Sequence, residues 1–301
     1  MSDKPSTLLA YIDEAGARGL VRDLKSTRDS EIGLMCALVF ESGTHERAIE
    51  RFTPGFNAFH EAKPPNAKLH VTDAFAEGNE AWRPIAEKVR EDFLSLFLIE
   101  RPTIVYTARR CRLSRLAHEQ QGRIPANKPI RRSTISINGE NRPSDWRIED
   151  DLIECLALLL DAYGETKTQN GSVAQVNLIF DEIDKAVVNR YEAMINRTKA
   201  ISHSSERVQG WDSTARKTVT GAIETTIDAD FPLDTRYLGG VRVVGKHHPL
   251  VLAADIATNH LYHHLSQLTD GAPLNAPTSL AGWRLEELVI GTREDASEDL
   301  L

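Results

Sequence analysis

Acidic residues stand at the ends of two apolar runs and inside a third. Asp13 and Glu14 follow LLAYI, Asp181 follows VNLIF, and Asp255 lies within PLVLAADIATNHLY. An aspartate among Ala, Leu and Ile is costly to bury unless it is hydrogen-bonded, paired or bound to a metal ion. Acids that are held close together cannot all ionise without a cation nearby. If the three runs meet in the fold, their carboxylates define a candidate cation site.

Oxygen ligands of this kind suit hard divalent cations. Mg²⁺ binds through a few carboxylates and keeps several waters, and Mn²⁺ prefers similar ligands. Two such ions about 3.5 to 4 Å apart are the usual arrangement for phosphodiester cleavage. We expect Asp13, Asp181 and Asp255 to hold Mg²⁺ or Mn²⁺, with Glu14 supporting or completing the cage. Each acid alone has a simpler explanation, because a carboxylate at a strand end is often a turn former. Glu14 should also point to the strand face opposite Asp13.

The elements that must position these acids are a mixture of strands and helices. LLAYID and IGLMCALVFE predict a β-hairpin, and the hydrophobic spacing in 79–100 predicts an amphipathic helix. Further predictions are a helix over 44–62 interrupted at Pro54, a short extended piece at AKLHVTD, strands at TIVYTARR, VAQVNLIFDEID and RYLGGVRVVG, helices over 144–165, 186–200 and 248–268, and a frayed tail over 291–301. The polar stretch 202–230 is ambiguous. The economical interpretation is one α/β domain over 1–301.

A local excess of positive charge stands out in an acidic chain. The formal net charge is −8, yet nine basic residues and one acid lie between Arg101 and Arg132. The clustering favours a polyanionic partner, and a solvated surface excursion is the alternative. Pro, Gly and Asn residues within 111–144 predict a loop-rich basic insertion. The expected nucleic-acid contacts are Arg109, Arg110, Arg112, Arg115, Arg131 and Arg132.

Composition and motifs exclude several other classes. The chain has 301 residues, of which 41% are apolar, and no run is long enough to span a membrane. The start lacks the features of a signal peptide, and the three cysteines are far apart, so we expect a cytoplasmic protein with reduced thiols. No phosphate-binding GxxxxGK loop, GxGxxG turn or GxSxG elbow occurs. The histidines of HLYHH lack a second ligand pair with zinc spacing.

Three short motifs, in this order, resemble a bacterial family catalogued as domain of unknown function 3800. They are YIDEAG, LIFDE and LVLAADIATN. The resemblance implies a ribonuclease H-like fold, a mixed five-stranded sheet flanked by helices. It also implies a metal-dependent nuclease site, with acids from the first strand, a later strand and a C-terminal helix. Asp13, Glu14, Asp181 and Asp255 occupy the corresponding positions. Two positions depart from the family pattern: Ala15 replaces the usual Ser, and Leu252 the usual Gln.

The resemblance implies two further site residues. Ribonuclease H-like enzymes often add an acid from the helix before the later strand, and Glu154, between Ile153 and Cys155, is our candidate for a metal ligand. Glu149 is the weaker candidate, since acids are favoured in a first helical turn anyway. His70 in KLHVTDAF resembles a recurrent histidine of the family, which we expect to shuttle protons. A structural or surface histidine is the alternative.

Together these features predict a Mg²⁺- or Mn²⁺-dependent nuclease, or a related phosphodiester hydrolase, that acts on DNA or RNA. The alternative is a catalytically inactive ribonuclease H-like module that binds nucleic acid or protein, and the changes at Ala15 and Leu252 motivate it. A hydrolase of small nucleotides is a third option. The resemblance also implies a setting in phage defence or mobile elements, with a homo-oligomer or a defence-system protein as possible partners.

Overall fold

The computed structural model describes most of the chain. The described residues are 7–17, 31–111, 133–137, 140–141, 147–168, 174–181, 185–199, 203–212, 217–226, 237–245, 247–269, 272–274, 279–280, 283–284 and 289–291. In chain order their strands are β1 (Thr7–Gly16), β2 (Ile32–Glu41), β3 (Thr103–Arg110), β4 (Ser133–Ile137), β5 (Glu140–Asn141), β6 (Gln175–Phe180), β7 (His203–Asp212), β8 (Lys217–Thr226), β9 (Leu238–Val243), β10 (Ser279–Leu280), β11 (Trp283–Arg284) and β12 (Val289–Gly291). The helices are α1 (Ser42–Glu61), α2 (Arg83–Glu100), α3 (Ile148–Lys167), α4 (Lys185–Lys199) and α5 (Pro249–Ser266), with a short 3₁₀ helix at Val71–Phe75.

The main sheet is mixed, with strand order β12-β3-β2-β1-β6-β9. β1, β2 and β3 are antiparallel neighbours, and β6 and β9 run parallel to β1. The predicted hairpin, the strand at TIVYTARR and both later strands are therefore confirmed. Five of these strands form the expected mixed sheet. The three-residue β12 adds a sixth at the edge beside β3, so RYLGGVRVVG is not the final strand.

Helices cover both faces of this sheet because its central strands alternate apolar side chains to the two sides. Tyr11 faces a core that contains residues of α1, α2 and α5. Ala10 and Ile12 face a second core that contains residues of α3 and α4. β2 is buried along nearly its whole length, as expected for a strand that is covered on both faces. The predicted α/β class is confirmed.

A separate antiparallel sheet has the order β5-β4-β7-β8. β4 and β5 lie within the predicted basic insertion 111–144, so part of that segment is strand rather than loop. The stretch that was ambiguous from sequence, 202–230, contains β7 and β8, which pair in antiparallel orientation. The other residues of the insertion and nearly all of the acidic tail lie outside the described part of the chain.

Two local predictions are wrong. Pro54 does not interrupt α1, because the helix buries Phe52, Phe56 and Phe59, and this packing outweighs the lost backbone bond. Residues 71–75 are a 3₁₀ helix rather than an extended piece. The carboxylate of Asp73 accepts a bond from the Lys68 backbone at 2.8 Å and holds this turn.

α5 lies along the same face of β1 as Tyr11. At one end His248, the residue before α5, is 3.3 Å from the Tyr11 hydroxyl. At the other end Tyr262 packs so close to Gly16 that a Cβ there would collide with its ring. Asp255 is midway between these anchors, at the level of Asp13. No helix in the described ranges is both long and apolar enough to cross a membrane.

Gly16→Ala should destabilise the protein. Gly16 has a φ of +76°, and an added methyl would overlap the Ile32 carbonyl as well as the Tyr262 ring. We expect a loss of about 1–3 kcal/mol in the free energy of unfolding, measured by denaturant titration. Gly43→Ala is the matched control, because nothing lies within 4 Å of its added methyl and it is inside α1. An equal loss in both variants would contradict the prediction.

Candidate functional site

Asp13 and Asp181 lie where the pairing between β1 and β6 ends, whereas β1 itself continues to Gly16 in its pairing with β2. β1 and β6 run parallel, and their last paired residues are Ile12 and Phe180. Asp13 directly follows Ile12, and Asp181 directly follows Phe180. Since the carboxyl ends of parallel strands meet at one edge, the sheet itself brings these two carboxylates together.

Asp255 reaches the same place from α5. It is only 7% exposed, within a helix whose neighbouring residues are buried and apolar. One carboxylate oxygen accepts the Val71 backbone N–H at 2.9 Å, and the other accepts the Asn259 side-chain amide at 3.0 Å. These bonds offset the cost of burying the carboxylate. Asn259 lies one turn after Asp255 on the same helix, so this partner could be found from spacing alone.

His70 completes the group. Its Nδ1 lies 3.5 Å from the second oxygen of Asp255, and its side chain is 35% exposed. The hydrogen bond to Asp255 raises the pKa of His70, against the opposing effect of burial, and the charges of Asp73 and Asp181 raise it further. The predicted proton carrier is thus oriented by a carboxylate on one ring nitrogen.

The pKa of Asp13 shows how close these charges are. Burial raises it well above the usual carboxyl range, and the charges of Asp255, Glu14 and Asp181 raise it further. Asp13 therefore lies within electrostatic reach of both other predicted ligands. Asp181 and Asp255 thus lie within electrostatic reach of both Asp13 and His70, at the point on β1 where its pairing with β6 ends.

Glu14 lies on the opposite face of the sheet. Its charge raises the pKa of Glu149 on α3, where burial is the main cause and the Arg147 guanidinium, 3.0 Å away, lowers it. Glu149 is 4% exposed, so its expected place in an exposed first turn is wrong. The reason is Asp150, which accepts the Arg147 backbone N–H at 2.7 Å and pairs with Arg190 of α4, packing the first turn of α3 inward.

The structure does not bring Glu154 to the Asp13 group. Glu154 is half-buried on α3. Its helix packs against the Ala10 and Ile12 face of β1, whereas Asp255 approaches from the Tyr11 face. The expectation that it joins the metal ligands is therefore corrected.

The predicted basic contacts are placed only in part. Arg110 is 5% exposed, and its guanidinium donates to the carbonyls of Thr269 at 3.0 Å and Ala272 at 2.9 Å. It binds the chain itself, so we withdraw it from the proposed nucleic-acid contacts. Arg109 is half-buried on β3, opposite Gly33 of β2. The remaining four, Arg112, Arg115, Arg131 and Arg132, lie outside the described residues.

The two departures from the family pattern have different surroundings. Leu252 is 2% exposed, in the core beneath α5, where a glutamine would need a hydrogen-bonding partner. Ala15 is half-buried and packs against the same core.

A chain of hydrogen bonds next to the acids was missed from sequence. The Leu250 backbone N–H donates to His248 Nδ1 at 3.3 Å, so the other ring nitrogen of neutral His248 carries the proton and donates to the Tyr11 hydroxyl. Tyr11 then donates to His45 Nε2 at 2.7 Å. Burial lowers the pKa of both histidines, that of His248 to about 4. These hydrogen bonds connect α1, β1 and α5, and no spacing pattern in the sequence predicts them.

The donor chemistry at the end of β1 fits a divalent cation. Carboxylate oxygens are the preferred ligands of Mg²⁺, and a cation would offset the repulsion that raises the pKa of Asp13. The coordination cage is not preassembled, however. Within the described ranges, no group of three His, Cys, Asp or Glu side chains is arranged to hold a metal ion.

The fold and site define an α/β protein with a cluster of carboxylates and one histidine at an edge of its main sheet. No protein-family model matches the chain, and neither a curated protein nor a solved structure is significantly similar to it.

Asp13→Asn should stabilise the protein at neutral pH. Because the folded state raises the pKa of Asp13, it binds the proton more tightly than the unfolded state does. The free energy of unfolding therefore falls as the pH rises from the ordinary carboxyl range through the folded pKa. We expect the variant to lack this part of the fall and to gain on the order of 1 kcal/mol at pH 7, measured by denaturant titration at several pH values.

Asp92→Asn is the control for this measurement. Asp92 lies on α2 and pairs with Lys88, so the substitution removes one carboxylate elsewhere on the protein. We expect that Asp92→Asn does not stabilise the protein at any of the pH values. A loss of stability in Asp13→Asn at pH 7 would contradict the electrostatic account.

Proposed function

We propose that the protein is a divalent-cation-dependent phosphodiester hydrolase that acts on nucleic acid. The observation that carries this proposal is the proximity of Asp13, Asp181, Asp255 and His70 at the point on β1 where its pairing with β6 ends. These acids come from the first strand, a later strand beside it and a C-terminal helix. A ribonuclease H-like arrangement would draw its acids from the same three elements.

Asp13 and Asp181 would be the direct ligands of a bound ion. When bound, Mg²⁺ or Mn²⁺ would polarise a phosphoryl oxygen and make a bound water more acidic. Asp255 has a different role in this proposal. Its two oxygens already accept bonds from Val71 and Asn259 and face His70, so it acts chiefly by orienting the histidine.

His70 would be the general base. Asp255 holds its Nδ1 edge, which leaves Nε2 as the edge that can take a proton from an attacking water. A carboxylate that fixes the tautomer and orientation of a histidine in this way is a recurring device in hydrolases. Its partial exposure allows His70 to exchange the proton with solvent.

A non-catalytic binding module is the second candidate. The observation in its favour is that the described carboxylates do not form a ready metal site. Leu252 and Ala15, in place of the polar residues of the resembling family, point the same way. A protein that binds nucleic acid equally well with and without Mg²⁺, and cleaves none, would support this candidate.

Several expectations from sequence stay predictions. They are membership of the resembling bacterial family, a cytoplasmic location, a homo-oligomeric state and a partner protein in phage defence. DNA and RNA are both open as substrates, and so is a small nucleotide. The dependence of cleavage on chain length separates the last case from the others.

Asp13→Asn and Asp181→Asn should each abolish cleavage of DNA or RNA in the presence of Mn²⁺. Each removes one proposed ion ligand without removing its side-chain volume. Cleavage of labelled single- and double-stranded oligonucleotides measures the effect, with Asp92→Asn as the control that retains activity. Wild-type protein that cleaves no nucleic acid with Mn²⁺ would overturn the proposed function, and so would full activity in Asp13→Asn.

His70→Gln and Asp255→Asn should both slow cleavage through the same step. General-base catalysis contributes about 10²–10⁴-fold, so His70→Gln should lower kcat by that order with little change in KM. Asp255→Asn should lower kcat by a smaller factor, and the double variant should be no slower than His70→Gln alone. Losses that multiply in the double variant would show that the two residues act independently.

A further inference from the structure

Two arginines of α2 share one aromatic ring close to the candidate site. The guanidinium carbon of Arg90 lies 4.3 Å from the centre of the Phe75 ring, and that of Arg83 lies 5.9 Å from it. The arginines are seven residues apart, which places them on the same helix face two turns apart. Phe75 is the last residue of the 3₁₀ helix that begins directly after His70.

Both guanidinium groups lack a polar partner among the described residues. The Nε atoms of Arg83 and Arg90 are buried and have no hydrogen bond. The structure also shows no hydrogen bond or ion pair from the rest of either guanidinium to a described residue. Burial lowers the pKa of Arg90, although the charges of Asp255 and Glu87 act in the opposite direction. Buried donors of this kind normally have an acceptor, so their state calls for a ligand.

Arg90 lies within electrostatic reach of Asp255. The charge of Asp255 raises the pKa of Arg90. The charge of Arg90 in turn lowers the pKa of His260 on α5, although burial is the main cause of that shift. Glu87 and Asp255 are the acids that act on Arg90, and Glu80 is close enough to Arg83 to feel its charge. None of them forms an ion pair with either guanidinium.

We propose that Arg83 and Arg90, held by Phe75, bind a backbone phosphate of the nucleic-acid strand that enters the site. A guanidinium presents planar, paired N–H donors that match phosphate oxygens, and stacking on an aromatic ring pre-organises them. Both side chains are half-buried, so an edge of each remains accessible to a ligand. The ligand class rests on the proposed function, because nucleic acid is the polyanion that the neighbouring carboxylates would process.

This assignment adds a substrate contact that lies outside the basic segment 101–132. Arg110 of that segment is committed to the carbonyls of the chain itself, whereas Arg83 and Arg90 have donors to offer. Sequence reasoning missed them because RPIAEKVR has the ordinary charge pattern of a solvated helix. Only the fold places both guanidinium groups beside the Phe75 ring.

The test is binding of a fluorescent single-stranded oligonucleotide, one of DNA and one of RNA, in EDTA at several salt concentrations. Without divalent ions there is no cleavage, so binding is measured alone. Arg83→Gln and Arg90→Gln should each weaken binding about tenfold or more, as expected for a lost charge-assisted contact. Each should also reduce the slope of log K against log salt by about 0.7.

Lys88→Gln is the matched control, since it removes one positive charge from an exposed face of the same helix. It should bind as the wild type does. Arg90→Lys keeps the charge without the planar fork and should bind with intermediate affinity. Thermal melting should show that each variant is folded.

Wild-type affinity in both glutamine variants would overturn the inference, as would equal weakening by Lys88→Gln or a wild type that binds neither oligonucleotide. The proposed function fails separately. If the protein binds nucleic acid through these arginines but cleaves none with Mn²⁺, the phosphate site stands and the proposed hydrolase is refuted. If cleavage depends on Asp13 but binding does not depend on Arg83 and Arg90, the proposed hydrolase stands and the phosphate site is refuted.

Discussion

Carboxylates gathered in a partly buried place repel one another, and the arrangement around β1 depends on how that repulsion is offset. Asp255 is stabilised by the Val71 backbone, the Asn259 amide and His70. Asp13 accepts a hydrogen bond from the Glu14 backbone, which lowers its pKa, but burial and the neighbouring charges outweigh this bond and raise the pKa. A fold selected for stability alone would have an amide or an apolar residue at this position. The retained acid is therefore the strongest sign of a chemical role.

The placement of α5 is what makes the acids meet. Tyr11 and His248 fix the start of the helix against β1, and Tyr262 packs on Gly16 near its end. Between these anchors a helix of fixed rise leaves little freedom for Asp255. The alternation of β1 then assigns Asp13 to this face and Glu14 to the face of α3. One pair of adjacent acids thus contributes to two different environments.

The sequence predicted the elements with strong periodicity and the residues that those elements carry. Alternating or continuous apolar runs gave the central strands, and the ends of LLAYI and VNLIF gave Asp13 and Asp181. What failed depended on tertiary contacts. Pro54 was judged by its local effect, whereas three buried phenylalanines hold α1 together.

Charged residues were harder to place than apolar ones, because a charge in a sequence does not reveal its partner. Arg110 belongs to a basic run but lies inside the protein, and Glu149 belongs to a helix start but is buried beside Arg147. Glu154 interrupts an apolar stretch, yet its helix packs on the wrong face of β1. Arg83 and Arg90 carried no signal until the fold placed Phe75 beside them.

Calorimetric titration of the protein with Mn²⁺ tests the central claim most directly, because it reports ion binding without assuming a substrate. The account predicts that the wild-type protein binds Mn²⁺, that protons are released where Asp13 is partly protonated, and that Asp13→Asn loses the binding. A wild-type protein that binds no Mn²⁺, or an Asp13→Asn variant that binds it undiminished, would contradict the account.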